Sequence, residues 1–323
     1  MNDKILKEYE TASKAAALID LSARGKIEVT GKDRVSFIHR MLTNDIKSLA
    51  PGQGCFACLL NAQAKVIVDL SVWITESSIV LGVEPRFAEK TVGALQKFVV
   101  TDDVMLTDKT NDLCGFGILG PKNESIVRTL AGAHYPTSDF EHQPAKIHRI
   151  DSYLMCLPIF GKKSWYVATK SENKATLQKL LEENGGALIG SETSEILRVE
   201  SGMPRYGIDV TEEIILPEVK IWESRAVSFT KGCYPGQEIV ARIDSRGKFA
   251  KQFVRMTAES KDVPKPGSTI QKDARDIGRV TSAVFSPKFS KPCLLGYLSR
   301  DFLTPGIEVD VLSDGKKIPA KLI

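Results

Sequence analysis

The sequence carries a weak internal repeat, and no other feature narrows the possible folds as much. GKIEVTGKDRVSFIHRML (residues 25–42) matches CGFGILGPKNESIVRTLA (114–131) in its alternation, with Gly31 and Gly120 as anchors 89 positions apart. SSIVLGVEPRFAEKTVGALQKFV (77–99) corresponds to KSWYVATKSENKATLQKLLEEN (163–184) through Ser78 and Ser164, 86 positions apart. Two correspondences at nearly one spacing predict a duplicated α+β unit, with sheets paired across a pseudo-two-fold axis and a groove between the halves.

Local patterning fills in that unit. Residues 3–19 read as a helix. Gly25 opens a strand over Lys26–Thr30 that ends at Gly31. A helix follows in which Val35, Phe37, Ile38, Met41, Leu42 and Ile46 recur at intervals of three and four behind a capping Asp33. Pro51–Gly54 is a turn, two strands flank the polar turn Asn61–Lys65, a strand covers Ile79–Val83, and a helix covers Arg86–Val99. From Phe249 onward, short apolar runs are separated by Pro266-Gly267, Ser286-Pro287, Lys291-Pro292, Pro305-Gly306 and Asp314-Gly315, with no helical period. That grammar predicts a small all-β domain, a barrel or a sandwich. The fold expected is therefore α+β: two pseudo-repeated halves over 1–247, with a seam near 110–113, and a C-terminal β-barrel over 248–323.

A chain of 323 residues with 42% apolar and 26% charged residues has room for two or three domains. The formal net charge of +4 makes no case for nucleic acid binding. No stretch approaches a membrane-spanning length, and MNDKILKEYE has neither a signal-peptide core nor the acid-poor character of a transit peptide. The expectation is a cytoplasmic monomer without membrane contact. The six cysteines are scattered, as in a reduced cytosolic chain, so no disulfide is expected.

The densest chemistry lies in KGCYPGQE (231–238) and the IVARIDSRG that follows. Gly232, Pro235 and Gly236 mark a tight turn, and a helix starting at Pro235 would bury Ile239, Val240 and Ile243 and stop at Gly247. Cys233 would then sit outside the positive end of a helix, with Lys231, Arg225 and Arg242 as neighbouring cations that favour thiolate; Tyr234 is a poor cap, and Glu238 offsets part of that field. The competing reading is a packed thiol. Cys55-Phe-Ala-Cys58 has the CxxC spacing but strand character, which points its ends to opposite faces, so core packing is the better reading and no metal is expected. His39, His134, His142 and His148 form no metal-ligand pattern and receive no role.

Two carboxylates stand out. Glu200, in SEILRVESGMPRYGID, falls in the last turn of a helix ending at Gly202, where the dipole opposes it and a partner is required. That partner is either Arg198 or Arg205, or a heterocycle with two adjacent N–H donors such as a pterin or guanine edge. Asp69, in KVIVDL, is either an edge residue facing water or an acid inside the groove. Asn44-Asp45 reads as a helix stop, with a groove role open.

These residues together resemble a known family. KGCYPGQEIVARIDSRG is similar to the signature of the YgfZ branch of the folate-binding GcvT superfamily and agrees with K-G-C-[YF]-x-G-Q-E at every fixed position. GKDRVSFIHRMLTNDI with LNAQAK, ILRVESGMPRYGIDVTEEIILPE and IGRVTSAVFSP resemble further motifs of the family in the expected order. The resemblance implies a three-part ring around a folate channel. It also implies a place among factors that support assembly or repair of iron–sulfur clusters, in bacteria notably for a tRNA methylthiotransferase; a mitochondrial relative serves four-iron clusters. By position, Glu200 matches the pterin-contacting glutamate, Cys233 the branch-defining cysteine, and Lys231 and Arg242 fixed basic positions.

The expectation is a tetrahydrofolate-binding accessory factor for iron–sulfur client enzymes or cluster carriers, more a non-catalytic or weakly catalytic factor than an aminomethyltransferase. Cys233 and Lys231 are its reactive candidates, and Glu200, Arg242 and Asp69 its cofactor-binding ones. The alternative is a tetrahydrofolate-dependent aminomethyl or one-carbon transferase using Asp69 as acid or base; the superfamily's other branch is the glycine-cleavage aminomethyltransferase. Those enzymes have an Asp-Asp pair where this chain has Val68-Asp69, and an Asp-Phe where it has Cys233-Tyr234. Losing one acid weakens the case for proton handling. Ala64 replaces the glycine common in the family's LNxxGK turn. A third reading is a plain folate-binding or interaction protein in which Cys233 is packing.

Overall fold

Gly31 and Gly120 each turn a strand into a helix at positive φ, 101° and 96°. A Cβ at Gly31 would lie 2.1 Å from the carbonyl oxygen of Asp103, and one at Gly120 2.4 Å from that of Ala15, so the backbone at both anchors admits only glycine. The computed structural model, which describes residues 2–247 and 249–323, builds two sheets around these anchors.

Helix α1 (Asp3–Lys14) and strand β1 (Ala16–Asp20) precede the first unit. That unit runs β2 (Gly25–Thr30), α2 (Arg34–Met41), β3 (Gly54–Leu60), β4 (Val66–Ile74), β5 (Ile79–Val83), α3 (Ala88–Gln96) and β6 (Met105–Asp108). The second repeats the order with β7 (Leu113–Leu119), α4 (Asn123–Ala131), β8 (His142–Ile147), β9 (Ile150–Cys156), β10 (Trp165–Lys170), α5 (Lys174–Glu183) and β11 (Gly186–Leu188). The strand orders are β3-β4-β5-β2-β6 and β8-β9-β10-β7-β1-β11, the same arrangement with β1 inserted beside β7. Helices α6 (Ser191–Ser201), α7 (Lys220–Ala226) and α8 (Gln237–Arg246) lead to six strands, β12 (Lys251–Ala258), β13 (Thr269–Lys272), β14 (Arg275–Ser286), β15 (Lys291–Ser299), β16 (Glu308–Ser313) and β17 (Lys316–Leu322), which close into a barrel in the order β12-β15-β14-β13-β16-β17.

Each body has its own core. Val66, Val68, Leu70 and Val72 of β4 pack with Phe37 and Ile38 of α2. Phe116, Trp165, Leu177 and Leu181 fill the second half, and Met256, Val280, Leu294 and Val311 fill the barrel. The alternate residues of β4 face the other way, where Trp73 meets Met155, Tyr166 and Ala168 of the second sheet.

Five local expectations shift. The helix read over 35–46 ends at Met41, because Leu42 is extended and bridges to Leu59 of β3. The helix over 3–19 ends at Lys14, because Ala16–Leu18 are taken up between β7 and β11, and sheet pairing on both sides overrides alanine's helix preference. The helix over 86–99 starts at Ala88, since Arg86 is at φ 73°. The helix placed at Pro235 starts at Gln237, since Gly236 is at φ 80°. Asp33 makes no side-chain cap; its carboxylate accepts the amide of Asp103 (2.9 Å) and ties β6 to α2.

Gly31→Ala and Gly120→Ala should each destabilise the chain by about 2 kcal/mol or more, since strain at positive φ adds to a clash with fixed backbone. Urea unfolding of the two variants checks this, and the equivalence of the anchors predicts similar losses.

Candidate functional site

The inward faces of the two sheets do not meet along their whole length. Beside the Trp73 cluster they leave a cavity of about 800 Å³. Its walls come from Phe56 of β3, Asp69 of β4, the Leu157–Phe160 loop after β9, the Met203–Ile208 segment after α6, and Trp222 and Arg225 of α7. Phe56 and Trp222 meet edge to face at 5.7 Å, as do Phe87 and Tyr206 at 4.8 Å. Three non-glycine residues on this surface, Arg86, Phe140 and Phe160, are held at φ of 73°, 63° and 51°, backbone that surrounding structure must enforce.

Asp69 is the chemical centre. Strand alternation turns it away from Val68 and Leu70 into the space between the sheets, opposite Cys58 on β3. It is buried, and among the described residues its Oδ1 has no hydrogen-bond partner. Burial pushes its pKa up to about 7; the nearby Glu84 charge adds to this and Arg24 opposes it. A carboxyl poised there can accept N–H donors as an anion or hold a proton near neutrality. The polar wall around it is a chain of ion pairs: Arg24 with Glu84 (2.7 Å), Arg205 with Glu195 (3.0 Å) and, at 3.7 Å, with Glu84. Arg198 joins it through Glu195 and Asp209 (both 2.6 Å).

The other residues singled out from sequence lie elsewhere. Glu200 sits in the last turn of α6, but its carboxylate accepts from the Tyr9 hydroxyl (2.8 Å), the Ser286 hydroxyl and the Lys288 amide (3.3 Å). The partners that the opposed dipole requires are thus neither Arg198 nor Arg205. Two residues along a helix turn a side chain about 200°, so Arg198 reaches the cavity and Glu200 the barrel. Lys231 points inward: its ammonium donates to the carbonyls of His39, Leu42 and Asn44, sits 5.3 Å from the Tyr234 ring, and is pushed down to about 8 by burial. Gly236 packs on the turn at 61–65, where a Cβ would lie 2.6 Å from the Asn61 carbonyl oxygen. Buried Lys231 and Tyr234 therefore pin the loop on either side of Cys233, which is exposed. Neither Cys233 nor Arg242, exposed on α8, belongs to the cavity wall.

Asn44 bridges the carbonyls of Phe56 (2.9 Å) and Arg225 (3.2 Å), which fixes two cavity residues from behind. Cys55 and Cys58 are packed in β3, with burial raising both thiols, Cys55 to about 12. All six cysteines are free. Among the described residues no group of three or more His, Cys, Asp and Glu side chains could hold a metal, and no helix is long and apolar enough to cross a membrane. Sequence reasoning missed Phe56, Trp222, Arg24 and Glu84, whose approach is purely tertiary. It cited Arg198 and Arg205 only as counterions, although both lie in the segment that it singled out.

Comparison with known proteins covers most of the chain. Residues 1–231 match the family described as the GCVT N-terminal domain, and residues 251–323 match the glycine cleavage T-protein C-terminal barrel domain. A chloroplastic protein of Arabidopsis thaliana, whose name carries a provisional transferase assignment, is 28% identical over 321 residues, covering 97% of this chain and 71% of that protein. A protein of Caldanaerobacter subterraneus subsp. tengcongensis named aminomethyltransferase is 26% identical over 328 residues, covering 99% and 87%. The crystal structure of the glycine cleavage system aminomethyltransferase T from Bartonella henselae superposes with a TM-score of 0.87 at 22% identity, over 98% of this chain and 88% of that one, a likeness of fold.

Asp69 makes stability depend on pH. Below about pH 4 the carboxyl is protonated in both folded and unfolded chains. Between about 4 and about 7 the unfolded chain alone gives up its proton, so the group's contribution falls as pH rises, and above about 7 the whole penalty of a buried charge is present. Asp69→Asn removes the charge with little change of shape. Its melting temperature, relative to the parent chain, should rise progressively from pH 4 to 7 and level off above 7; scanning calorimetry across that range checks it.

Proposed function

The chain belongs to the glycine cleavage T-protein family, and from that premise we propose that it holds a tetrahydrofolate in the cavity between its sheets and serves iron–sulfur enzymes through Cys233. The unpaired Asp69 oxygen inside an aromatic-lined cavity supports the first part. A pterin offers adjacent ring and amino N–H donors that a carboxylate accepts together, and Phe56 and Trp222 supply flat apolar surface for rings. Arg205 and Arg225 on the wall suit the anionic glutamyl end. The volume lies within the range of pockets that enclose a ligand of this size. When bound, the cofactor supplies a one-carbon carrier at its reduced nitrogens. Asp69 orients it and holds or gives up a proton near neutral pH, while the two sheets exclude water.

The observation that carries the iron–sulfur reading is the position of Cys233. The thiol is exposed, on a loop locked by two buried side chains, and apart from the cavity, so it is available to another protein and not to the cavity ligand. The resemblance of KGCYPGQE to the branch whose members support iron–sulfur enzymes points the same way. Lys231 acts by fixing that loop, and Glu200 by fastening α6 to α1 and the barrel, rather than by contact with a ligand.

One observation favours the second reading, an aminomethyl or one-carbon transferase. The replaced acid falls at Val68, whose side chain lies in the core, so the cavity keeps the carboxyl that faces it. Relatives named aminomethyltransferase agree with this.

In a host lacking the gene, Cys233→Ser should fail to support an iron–sulfur tRNA methylthiotransferase, while its folding and tetrahydrofolate affinity stay as in the parent. Full support by the variant contradicts the role of the thiol. Release of ammonia from an aminomethyl-carrying lipoyl protein, with methylenetetrahydrofolate formed over many turnovers, would establish the transferase reading in its place.

A further inference from the structure

None of the described barrel residues lines the cavity, yet the barrel is bonded to one of its walls. The segment Met203–Ile208 contributes every one of its residues to the cavity surface. Immediately after it comes Asp209, whose side chain is completely buried. Its Oδ2 accepts the backbone amide of Arg205 (3.0 Å) and Nη1 of Arg198 (2.6 Å), and Arg198 also donates to the carbonyl of Met203 (2.6 Å). Its Oδ1 accepts two hydroxyls from β14 of the barrel, those of Thr281 and Ser282 (2.7 Å for Ser282). Arg198 donates to the same Ser282 oxygen (2.8 Å), and the Tyr297 hydroxyl of β15 donates to the Asp209 carbonyl (3.1 Å).

We propose that Asp209 is a positioning residue through which the Thr281–Ser282 pair of the barrel sets the shape of the cavity wall, and with it the affinity for the ligand. A buried carboxylate needs most of its acceptor sites filled, and here each oxygen has a different task, one toward the barrel and one toward the wall. Removing the barrel hydroxyls leaves Oδ1 empty, and the carboxylate can then recover hydrogen bonds only by rotating, which withdraws Oδ2 from the Arg205 amide and from Arg198. Arg198 and Arg205 carry part of the cavity's charge, so a wall released by a fraction of an ångström misplaces two of its guanidinium groups. This also gives a reason for the Thr-Ser pair in IGRVTSAVFSP, two hydroxyls placed to grip one acid across a domain boundary.

The ligand part of this rests on the tetrahydrofolate reading, and the test separates the two. Thr281→Val combined with Ser282→Ala, with Thr281→Val alone as the milder variant should the pair fail to fold, is compared with the parent chain by amide hydrogen exchange without ligand and by tetrahydrofolate titration. In the double variant, exchange at Arg205 and across Met203–Val210 should speed up about tenfold while the second sheet stays protected, and affinity should fall about tenfold; Thr281→Val alone, in which Ser282 still donates to Oδ1, should show a smaller change in the same direction. Ser282→Thr, which keeps a hydroxyl, should bind as the parent does. Unchanged exchange over Met203–Val210 in a folded variant overturns the proposal, as does faster exchange with unchanged affinity, which would make the contact merely structural. If the parent chain itself fails to bind tetrahydrofolate, the cofactor reading falls, and the exchange result alone decides whether the barrel sets the wall.

Discussion

A strand buried on both faces must satisfy two different neighbours, and β4 does so with opposite chemistry. Val66, Val68, Leu70 and Val72 close the core beneath α2, while Asp69, Ser71 and Trp73 face the second sheet. Duplication makes this arrangement possible, because two similar sheets facing each other leave inward surfaces that neither fills alone. The gap is lined with aromatic rings, arginines and one carboxyl whose charge the protein does not neutralise directly. Burying an acid without a partner is unfavourable, and the fold carries that penalty at the place where a ligand could relieve it.

The barrel stabilises this arrangement from outside. Two acids on or near α6 reach into it: Glu200, held by Ser286 and by Tyr9 of α1, and Asp209, held by Thr281 and Ser282. The buried Arg198–Asp209 pair is well bonded on every side, the condition under which a buried ion pair specifies geometry rather than merely costing desolvation. The ion pairs continue through Glu195 and Arg205 to Glu84 and Arg24, so one polar chain runs from the barrel across the cavity wall to the first half.

The architecture was legible in the sequence because it rests on local signals repeated twice. Strand alternation, turn glycines and the spacing of Gly31 and Gly120 disclosed the two halves, and turn spacing disclosed the barrel. The fate of residues 16–19 was not legible, since an alanine-rich run becomes a strand only when β7 and β11 flank it. The site divides in the same way. Asp69 stood out as an acid in an apolar strand, and alternation alone gave its two faces without saying which one met water. Glu200 and Lys231 stood out for real physical reasons, an opposed dipole and a basic motif position, but the partners that answer them come from α1, α2 and the barrel, far away in sequence. Phe56, Trp222, Arg24 and Glu84 carry no local mark, and only the pairing of sheets and helices brings them together.

The central claim is that the cavity binds tetrahydrofolate with Asp69 as its proton-bearing contact. It is tested most directly by calorimetric titration of the protein with tetrahydrofolate at pH 7 in two buffers of different ionisation enthalpy, which counts the protons exchanged on binding. Burial pushes the Asp69 pKa up to about 7, so part of the free protein carries the proton at pH 7, and donation from the pterin edge favours the anion; binding should therefore release a fraction of a proton per site, and Asp69→Asn should release none. Binding with no proton exchanged, or the same release from the variant, would contradict that placement of the ligand, and absence of binding would contradict the account as a whole.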